Sequence, residues 1–335
     1  MRIFNKDTSK DVVVIAEIGV NHKGSIDWIL DMLPKVKDSG ADAIKFQLFT
    51  PDLYSTRSNL TRYEQISAFY ISEEVFLQIK KSCDSIDLPI FATALSHDWV
   101  QFIADTCGVI KIASGDFTFA PTVEAALNTA AQVIISSGAT SRSEVIEFVK
   151  LAKQIRLENS YYETIAMLHC ISSYPPPIEE SNLSAIADLN KLTELTIGFS
   201  SHFLEDAPLF AALGLGARIF EIHVTDDRSR NDIRDHSLSR TPGELKNIIS
   251  SLNGLNLSLL SGTKAIQKSE LDSINSIRKG IVYSNSLSMG HELTASDFNF
   301  ARPLNAEFPN IDSVIGRRLK RNVEAFFPIV REDLE

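Results

Sequence analysis

The segment from Arg218 to His236, RIFEIHVTDDRSRNDIRDH, opens with an apolar run in which Glu221 and His223 stand two residues apart. In a strand, residues at that spacing point to the same side, so the acid and the imidazole share a face. Burying them there is costly unless they have partners. Upstream, Leu195–Phe199 is a similar run and leads into Ser200-Ser201-His202. Imidazoles from His202 and His223 at adjacent strand ends, with Glu17, Glu221 and Asp235 as oxygen ligands or supporting groups, predict a divalent-metal site. Nitrogen and oxygen ligands favour Mn²⁺ or Mg²⁺, with Zn²⁺ and Co²⁺ as alternatives that spacing does not separate. The plainer alternative is a pair of satisfied core histidines.

Two lysines raise the same question. Lys45 lies in AIKFQLF (43–49) and Lys111 in VIKIAS (109–114), and a buried ammonium needs an anion or a lowered pKa. A structural ion pair with Glu17 or Glu221 would satisfy one lysine at a time. Taken with Thr93, Ser114, Ser136, Ser172 and Ser200, the lysines form a set of donors suited to a phosphate and a carboxylate on one small ligand. Of the other histidines, His22 and His236 are the ones expected nearest a ligand; His97, His169 and His291 read as structural or solvent-facing. Tyr174-Pro175-Pro176-Pro177 reads as a rigid loop start.

These residues need a scaffold that gathers them. Eight short apolar runs alternate with amphipathic stretches: Val12–Val20, Ala43–Phe49, Ile90–Leu95, Val109–Ser114, Gln132–Ser137, Thr164–Cys170, Leu195–Ser200 and Arg218–Val224. Helices are predicted between them, for example over Ser25–Asp38, Ser72–Cys83, Ser141–Arg156, Glu205–Leu213 and Pro242–Leu252, several opened by a capping Ser. Eight such units predict a (β/α)8 TIM barrel. A doubly wound sheet is the alternative, but no GxGxxG follows the first run.

In a barrel, chemistry belongs at the carboxyl ends of the strands. In chain order those ends supply Glu17; Lys45 and Gln47; Thr93; Lys111 and Ser114; Ser136; His169, Ser172 and Tyr174; Ser200 and His202; Glu221 and His223. The barrel is expected to span 1–263, with a linker over 264–278 and a small β-rich domain over 279–335. Short β-like pieces are predicted there at Gly280–Tyr283, Leu293, Phe298–Ala301 and Asn322–Val330. A domain so small is expected to lean on a partner surface.

Composition narrows the classes. A chain of 335 residues, 44% hydrophobic and 23% charged, is that of a globular protein. Its net charge of −10 argues against a nucleic-acid or membrane-surface binder, so an anionic substrate must find local cations. Cys83, Cys107 and Cys170 show no CxxC spacing and are expected as free thiols. The opening MRIFNKDTSKD lacks a signal-peptide core, and no run approaches the roughly 18 apolar residues of a membrane span, which predicts a cytoplasmic location.

The ordered set IAEIGVNHKG (15–24), ADAIKFQLF (41–49), IKIASGD (110–116), SSG (136–138), LHCISSYPPP (168–177), IGFSSH (197–202) and EIHVTDD (221–227) resembles the sialic acid synthase family, which includes legionaminic and pseudaminic acid synthases. The C-terminal part, RKGIVYSNSLSMGHELTASDFNFARPLN and VIGRRLKRNVEAFFPIVREDL, is similar to the antifreeze-like (SAF) domain of those enzymes. The resemblance implies a C–C bond-forming transferase that condenses phosphoenolpyruvate with an N-acylated hexosamine such as N-acetylmannosamine, releasing phosphate. It implies a divalent metal, chiefly Mn²⁺, on His202 and His223. Phosphoenolpyruvate would lie on Lys45, Thr93, Lys111, Ser114, Ser136 and Ser200, with Ser172 beside them.

Glu17, Gln47, Tyr174, Asp235 and Arg302 match positions that handle the sugar or move protons. The family's domain-swapped homodimer would bring Arg302 to the partner's substrate. This chain departs from the family wording at Ser201, where an Asp is usual, at Ile222, where a Lys is usual, and at Ser96, where an Asp is usual. Ile233-Arg234 also replaces the usual Gly-Pro before Asp-His. These departures are expected on the sugar side of the site. Two other readings stand beside this one: a catalytically altered paralogue that binds a sugar or phosphate ligand, and a Schiff-base pyruvate aldolase using Lys45 or Lys111.

Overall fold

The computed structural model describes residues 1–158, 162–230, 232–259, 262–304, 307–308 and 310–335. Asn231, within the Arg218–His236 segment, and Asn305, which ends the quoted RPLN element, lie outside the described residues. The chain divides into two compact units, Met1–Ser261 and Gly262–Glu335.

The first unit is a closed barrel of eight parallel strands. They are β1 (Val13–Glu17), β2 (Ala43–Leu48), β3 (Ile90–Ala94), β4 (Val109–Ile112), β5 (Gln132–Ser136), β6 (Ile165–Cys170), β7 (Thr196–Ser201) and β8 (Ile219–His223). Each falls within a predicted apolar run or within one residue of it. Strands follow in chain order around the barrel and β8 pairs with β1 to close it. The expected helices form as Ile26–Ser39, Glu73–Ser85, Arg142–Glu158, Ala207–Gly214 and Pro242–Leu259. Ser25 and Ser72 cap the first two, their hydroxyls accepting from the Trp28 and Val75 amides at 3.2 and 3.3 Å.

Strand alternation divides the side chains into two cores. Outward residues such as Val14, Phe46, Ile112, Ile135, Met167, Phe199 and Ile222 pack under the helices. Inward residues Val13, Ile15, Ala43, Phe91, Val109, Ile134, Ala166, Leu168 and Ile219 fill the lower barrel. A hairpin absent from the sequence expectations, Arg2–Ile3 paired with Lys6–Asp7, plugs that end. It places buried Ile3 in the inner core and Phe4 against Phe91, with ring centroids 5.3 Å apart. Its turn residues Phe4 and Asn5 hold φ of 48° and 64°, the geometry that matches strand twist in a two-residue hairpin.

In the second unit, β9 (Gly280–Tyr283) and β10 (Phe298–Ala301) pair antiparallel around a core that includes Tyr283, Leu293, Val314, Leu319 and Ile329. Asn322–Val330 is not a strand. Val323 and Pro328 make only isolated bridges, to Leu287 and Val282, because the chain turns between them. Lys264–Arg278 contains a 3₁₀ segment, Lys268–Ser273, and a short helix, Ile274–Ile277. Among the described residues no helix is long and apolar enough to cross a membrane.

Gly198 in β7 tests the inner packing. A Cβ there would stand 2.3 Å from the Ile219 carbonyl oxygen and 2.4 Å from a Leu168 methyl. Gly198→Ala is expected to cost about 1–3 kcal/mol, lowering the calorimetric midpoint by about 2–4 °C per kcal/mol. An unchanged midpoint would contradict this packing.

Candidate active site

The upper half of the barrel interior is polar. Register alone sets Glu17 beside Lys45, Gln47 beside Thr93, Glu221 beside Ser200 and His223 beside Glu17. A cavity of about 240 Å³ opens there, lined by Glu17, Lys45, Gln47, Thr93, Lys111, Ser114, Ser136, Ser172, Tyr174, Ser200, His202, Glu221 and His223. Thirteen of the fifteen residues expected at the site therefore meet in one place. A larger cavity of about 670 Å³ lies at the opposite strand ends, by Met1, Arg2, Gln132 and Glu194. Barrel chemistry does not belong at that end.

Lys45 is buried and pairs with the Glu17 carboxylate, stands 3.6 Å from Glu221 and donates to Thr93 at 2.7 Å. Glu17 also accepts from the Gly19 amide at 2.9 Å and from Gln47 at 3.0 Å. The structural lysine–glutamate pair weighed from the sequence is thus present for Lys45, but not for Lys111. Lys111 donates to Ser136 at 2.6 Å and to the Ile112 carbonyl at 2.9 Å, and makes no ion pair among the described residues. Burial lowers its pKa, with Glu221 opposing. On Lys45 burial is outweighed by Glu17 and Glu221, which raise it.

The two carboxyls are pushed apart. Burial raises Glu17, with the Lys45 ammonium pulling the other way. For Glu221 burial also acts upward, but Lys45, Lys111 and His223 together hold it below the ordinary range. Ser200 donates to its other oxygen at 2.9 Å. One carboxyl is thus suited to carry a proton while its neighbour stays ionised.

On the other side, the His202 and His223 ring centroids are 5.4 Å apart. His202 Nδ1 lies 2.9 Å from the Ile171 carbonyl, so it carries the proton and leaves Nε2 as a lone-pair donor in the neutral ring. His223 Nδ1 is buried without a hydrogen-bond partner, and burial holds the ring's pKa down to about 4. Asp235 approaches that nitrogen to 3.8 Å. Among the described residues no three His, Cys, Asp or Glu side chains enclose an ion. Two imidazoles, one with an orphaned nitrogen, are a donor set that would suit a divalent ion.

The remaining expectations sort as follows. Asp235 stands behind the corner rather than on the cavity wall, its carboxylate 3.2 Å from where a Cβ on Gly19 would sit. Arg302 belongs to the second unit, where it donates to the Ile277 carbonyl at 2.6 Å. His169 faces away, its Nε2 2.9 Å from the Ser181 carbonyl. Cys170 instead lines the cavity, with Sγ 3.7 Å from His202 Nδ1. Strand parity with inward Leu168 was the signal for it. His22 and His236 are buried beneath the loops, bonded to Gly24 and Thr225 at 2.9 and 2.7 Å, and line no part of the cavity.

Three of the departures expected on the sugar side, at Ser96, Ser201 and Ile222, do not sit there. Ile222 packs in the outer core, and Ser201 is its register partner on β7, so both face away from the cavity. Ser96 accepts from the Thr50 amide at 3.0 Å and also lines no part of it.

Lys45→Met would strand two buried carboxylates and is expected to cost about 3–5 kcal/mol, whereas Lys111→Met, which breaks no ion pair, should cost clearly less. Urea unfolding compares them; equal losses would contradict the asymmetry. Ser201→Asp and Ile222→Lys should each destabilise by about 3 kcal/mol, and the double variant should recover at least about 1 kcal/mol of the sum. Strict additivity in that cycle would show that the two positions do not pair.

The chain is similar to known proteins along nearly its whole length. Residues 32–264 match the NeuB family and 278–335 match the SAF domain. An uncharacterized protein of Methanocaldococcus jannaschii is 35% identical, covering 96% of this chain and 94% of its own. The N,N'-diacetyllegionaminic acid synthase of Legionella pneumophila is 29% identical over 98% of this chain and 96% of its own. Among solved structures, the N-acetylneuraminic acid (sialic acid) synthetase of Leptospira borgpetersenii, in complex with citrate, superposes with a TM-score of 0.73 at 30% identity, covering 79% of this chain and 90% of that one. The chain belongs to the NeuB family of sialic and related nonulosonic acid synthases, C–C bond-forming transferases, and joins a TIM barrel to an SAF domain.

Proposed function

We propose that the protein condenses phosphoenolpyruvate with an open-chain N-acylated hexosamine, N-acetylmannosamine or a close relative, and releases inorganic phosphate. The observation that carries this reading is the cluster of Lys45, Lys111, Glu17 and Glu221 walled by hydroxyls, set against the two-imidazole corner in one cavity. Lys111, without a carboxylate, and Lys45 would hold the phosphate and carboxylate of the enol donor, with Thr93, Ser114, Ser136, Ser172 and Ser200 donating to its oxygens. Gly138 lets the loop after β5 close on this group, since a Cβ there would stand 2.7 Å from Ser114 Oγ and 2.3 Å from Ser172 Oγ.

The methylene carbon of the enol phosphate attacks the aldehyde carbon and forms the new C–C bond, and the aldehyde oxygen takes a proton. Water then adds to the phosphate-bearing carbon and gives up a proton, and loss of phosphate from that carbon leaves the 2-keto acid. His202 and His223 would hold a divalent ion, Mn²⁺ in first place with Mg²⁺ or Co²⁺ as alternatives, which supplies Lewis-acid polarisation of an oxygen at the carbon under attack. Glu17, its carboxyl raised by burial, moves the proton of the attacking water, while Glu221 stays ionised and balances the lysines. Lys45 and Lys111 stabilise the charge of the departing phosphate. Gln47, Tyr174 and Asp235 would order the acceptor, and Arg302 from the SAF domain of a swapped partner copy would complete it.

One observation favours a second reading: the lowered pKa of Lys111 suits a Schiff-base aldolase. Borohydride reduction in the presence of pyruvate would trap a Lys111 adduct if that were the chemistry. The altered-paralogue reading loses its motive, because Ser96, Ser201 and Ile222 do not line the cavity.

Incubating the protein with Mn²⁺, phosphoenolpyruvate and N-acetylmannosamine or a 2,4-diacetamido hexose should release phosphate in step with a 2-keto acid. Chelation by EDTA, His202→Ala and His223→Ala should each lower turnover by at least about a hundredfold. Absence of phosphate release with every acceptor in the series would sink the proposal.

A further inference from the structure

Two contacts converge on a residue that the catalytic reading does not use. The Arg234 guanidinium lies over the Tyr174 ring, 4.5 Å from its centroid. Tyr174 is itself stacked on His202, with centroids 3.9 Å apart and planes at 29°. A ring offers two faces, and with an imidazole at that distance on one, the guanidinium occupies the other. On its other side Arg234 Nε stands 4.0 Å from Asp235, whose second oxygen is 3.8 Å from His223 Nδ1. His202 and His223 complete the circuit at 5.4 Å, and Tyr174 meets His223 edge-on at 6.4 Å.

Resting on the function proposed above, we infer that Arg234 is a positioning residue that holds the two-imidazole corner in shape from outside. Through Tyr174 it presses on His202, and through Asp235 it steadies the carboxylate beside His223. Among the described residues its guanidinium donates no hydrogen bond, and its side chain is 66% exposed, so its placement rests on the Tyr174 ring and the Asp235 carboxylate. Cation–π attraction strengthens where water is excluded. Both contacts come from one side chain, Arg234, in the short segment just before Asp235.

The role differs from that of a ligand-holding group. Removing Arg234 should leave the fold intact, because the side chain is mostly exposed, and should leave the lysine end of the cavity untouched. It should loosen only the imidazole end, where the acceptor is expected.

The test compares Arg234→Met, which keeps length and loses charge, with Arg234→Lys, which keeps a cation able to stack on Tyr174. The full-length protein is titrated with Mn²⁺ alone and free ion is followed by electron paramagnetic resonance. Arg234→Met is expected to weaken Mn²⁺ binding by about threefold to tenfold, with Arg234→Lys recovering most of it. In turnover, the acceptor KM should rise by a similar factor while that for phosphoenolpyruvate stays within about twofold. Thermal midpoints of both variants should match the parent, so a folding defect is separable.

Methionine behaving like the parent in metal affinity and acceptor KM would overturn the inference, as would lysine behaving like methionine. Equal rises in both KM values would also overturn it, since the effect would then not be confined to one corner. If no acceptor is turned over by the parent, the function proposed above fails, and the metal titration still decides whether Arg234 shapes the corner.

Discussion

Two buried carboxylates share one lysine at the mouth of this barrel, and the remaining site residues are arranged around that arrangement. Glu17 pairs with Lys45, and Glu221 stands 3.6 Å from the same ammonium. Lys111 brings the formal sum of the four groups to zero without touching either acid. In a medium of low dielectric such a balance is close to obligatory, because each unpaired ion costs several kcal/mol. Unequal surroundings push the Glu17 carboxyl up through burial and hold the Glu221 carboxylate below the ordinary range through the nearby lysines. On the function proposed here, an anionic donor entering this neutral cluster brings in excess negative charge. On the same proposal, a divalent ion at the imidazole corner would restore the balance, a physical reason for the two ends of the cavity to work together.

The barrel supports the cluster through its register. Parallel neighbours place Glu17 level with Lys45 and Glu221 level with Ser200, so the contacts follow from backbone pairing rather than from flexible side-chain reach. Below them lies an apolar inner core, joined by the N-terminal hairpin through Ile3 and Phe4. The close contact at Gly198 belongs to the same economy of space, since β7 must approach β8 closely for Ser200 to reach Glu221.

Much of this was legible because strand alternation is a strict rule. Eight apolar runs gave eight strands, and a spacing of two correctly paired Lys45 with Gln47 and Glu221 with His223 on the inner face. The same parity, applied further, separates Cys170 from His169 and sends Ser201 and Ile222 outward, away from the cavity. The N-terminal hairpin escaped notice because its strands are two residues long and leave no periodicity to read. Asn322–Val330 differs for another reason: its Val, Phe and Ile content is strand-like, but the turning chain makes only isolated bridges there. That Arg234 lies on Tyr174 depends on how two loops meet, which no local pattern encodes.

The origin of each site residue also separates what is fixed from what is free to vary. Glu17, Lys45, Lys111, Ser200, Glu221 and His223 are held within or at the ends of strands, where a shift of one residue would turn every side chain to the wrong face. Tyr174, Arg234 and Asp235 come from segments beyond the strand ends, where backbone changes disturb no ladder. The outward Ser201 and Ile222 form a third class, in which a registered pair can change together while the cavity keeps its charges. A substitution in this fold is therefore read first by the face it occupies and only then by its chemistry. By that order the residues at 201 and 222 concern packing, whereas the one at 234 touches Tyr174, which stacks on His202.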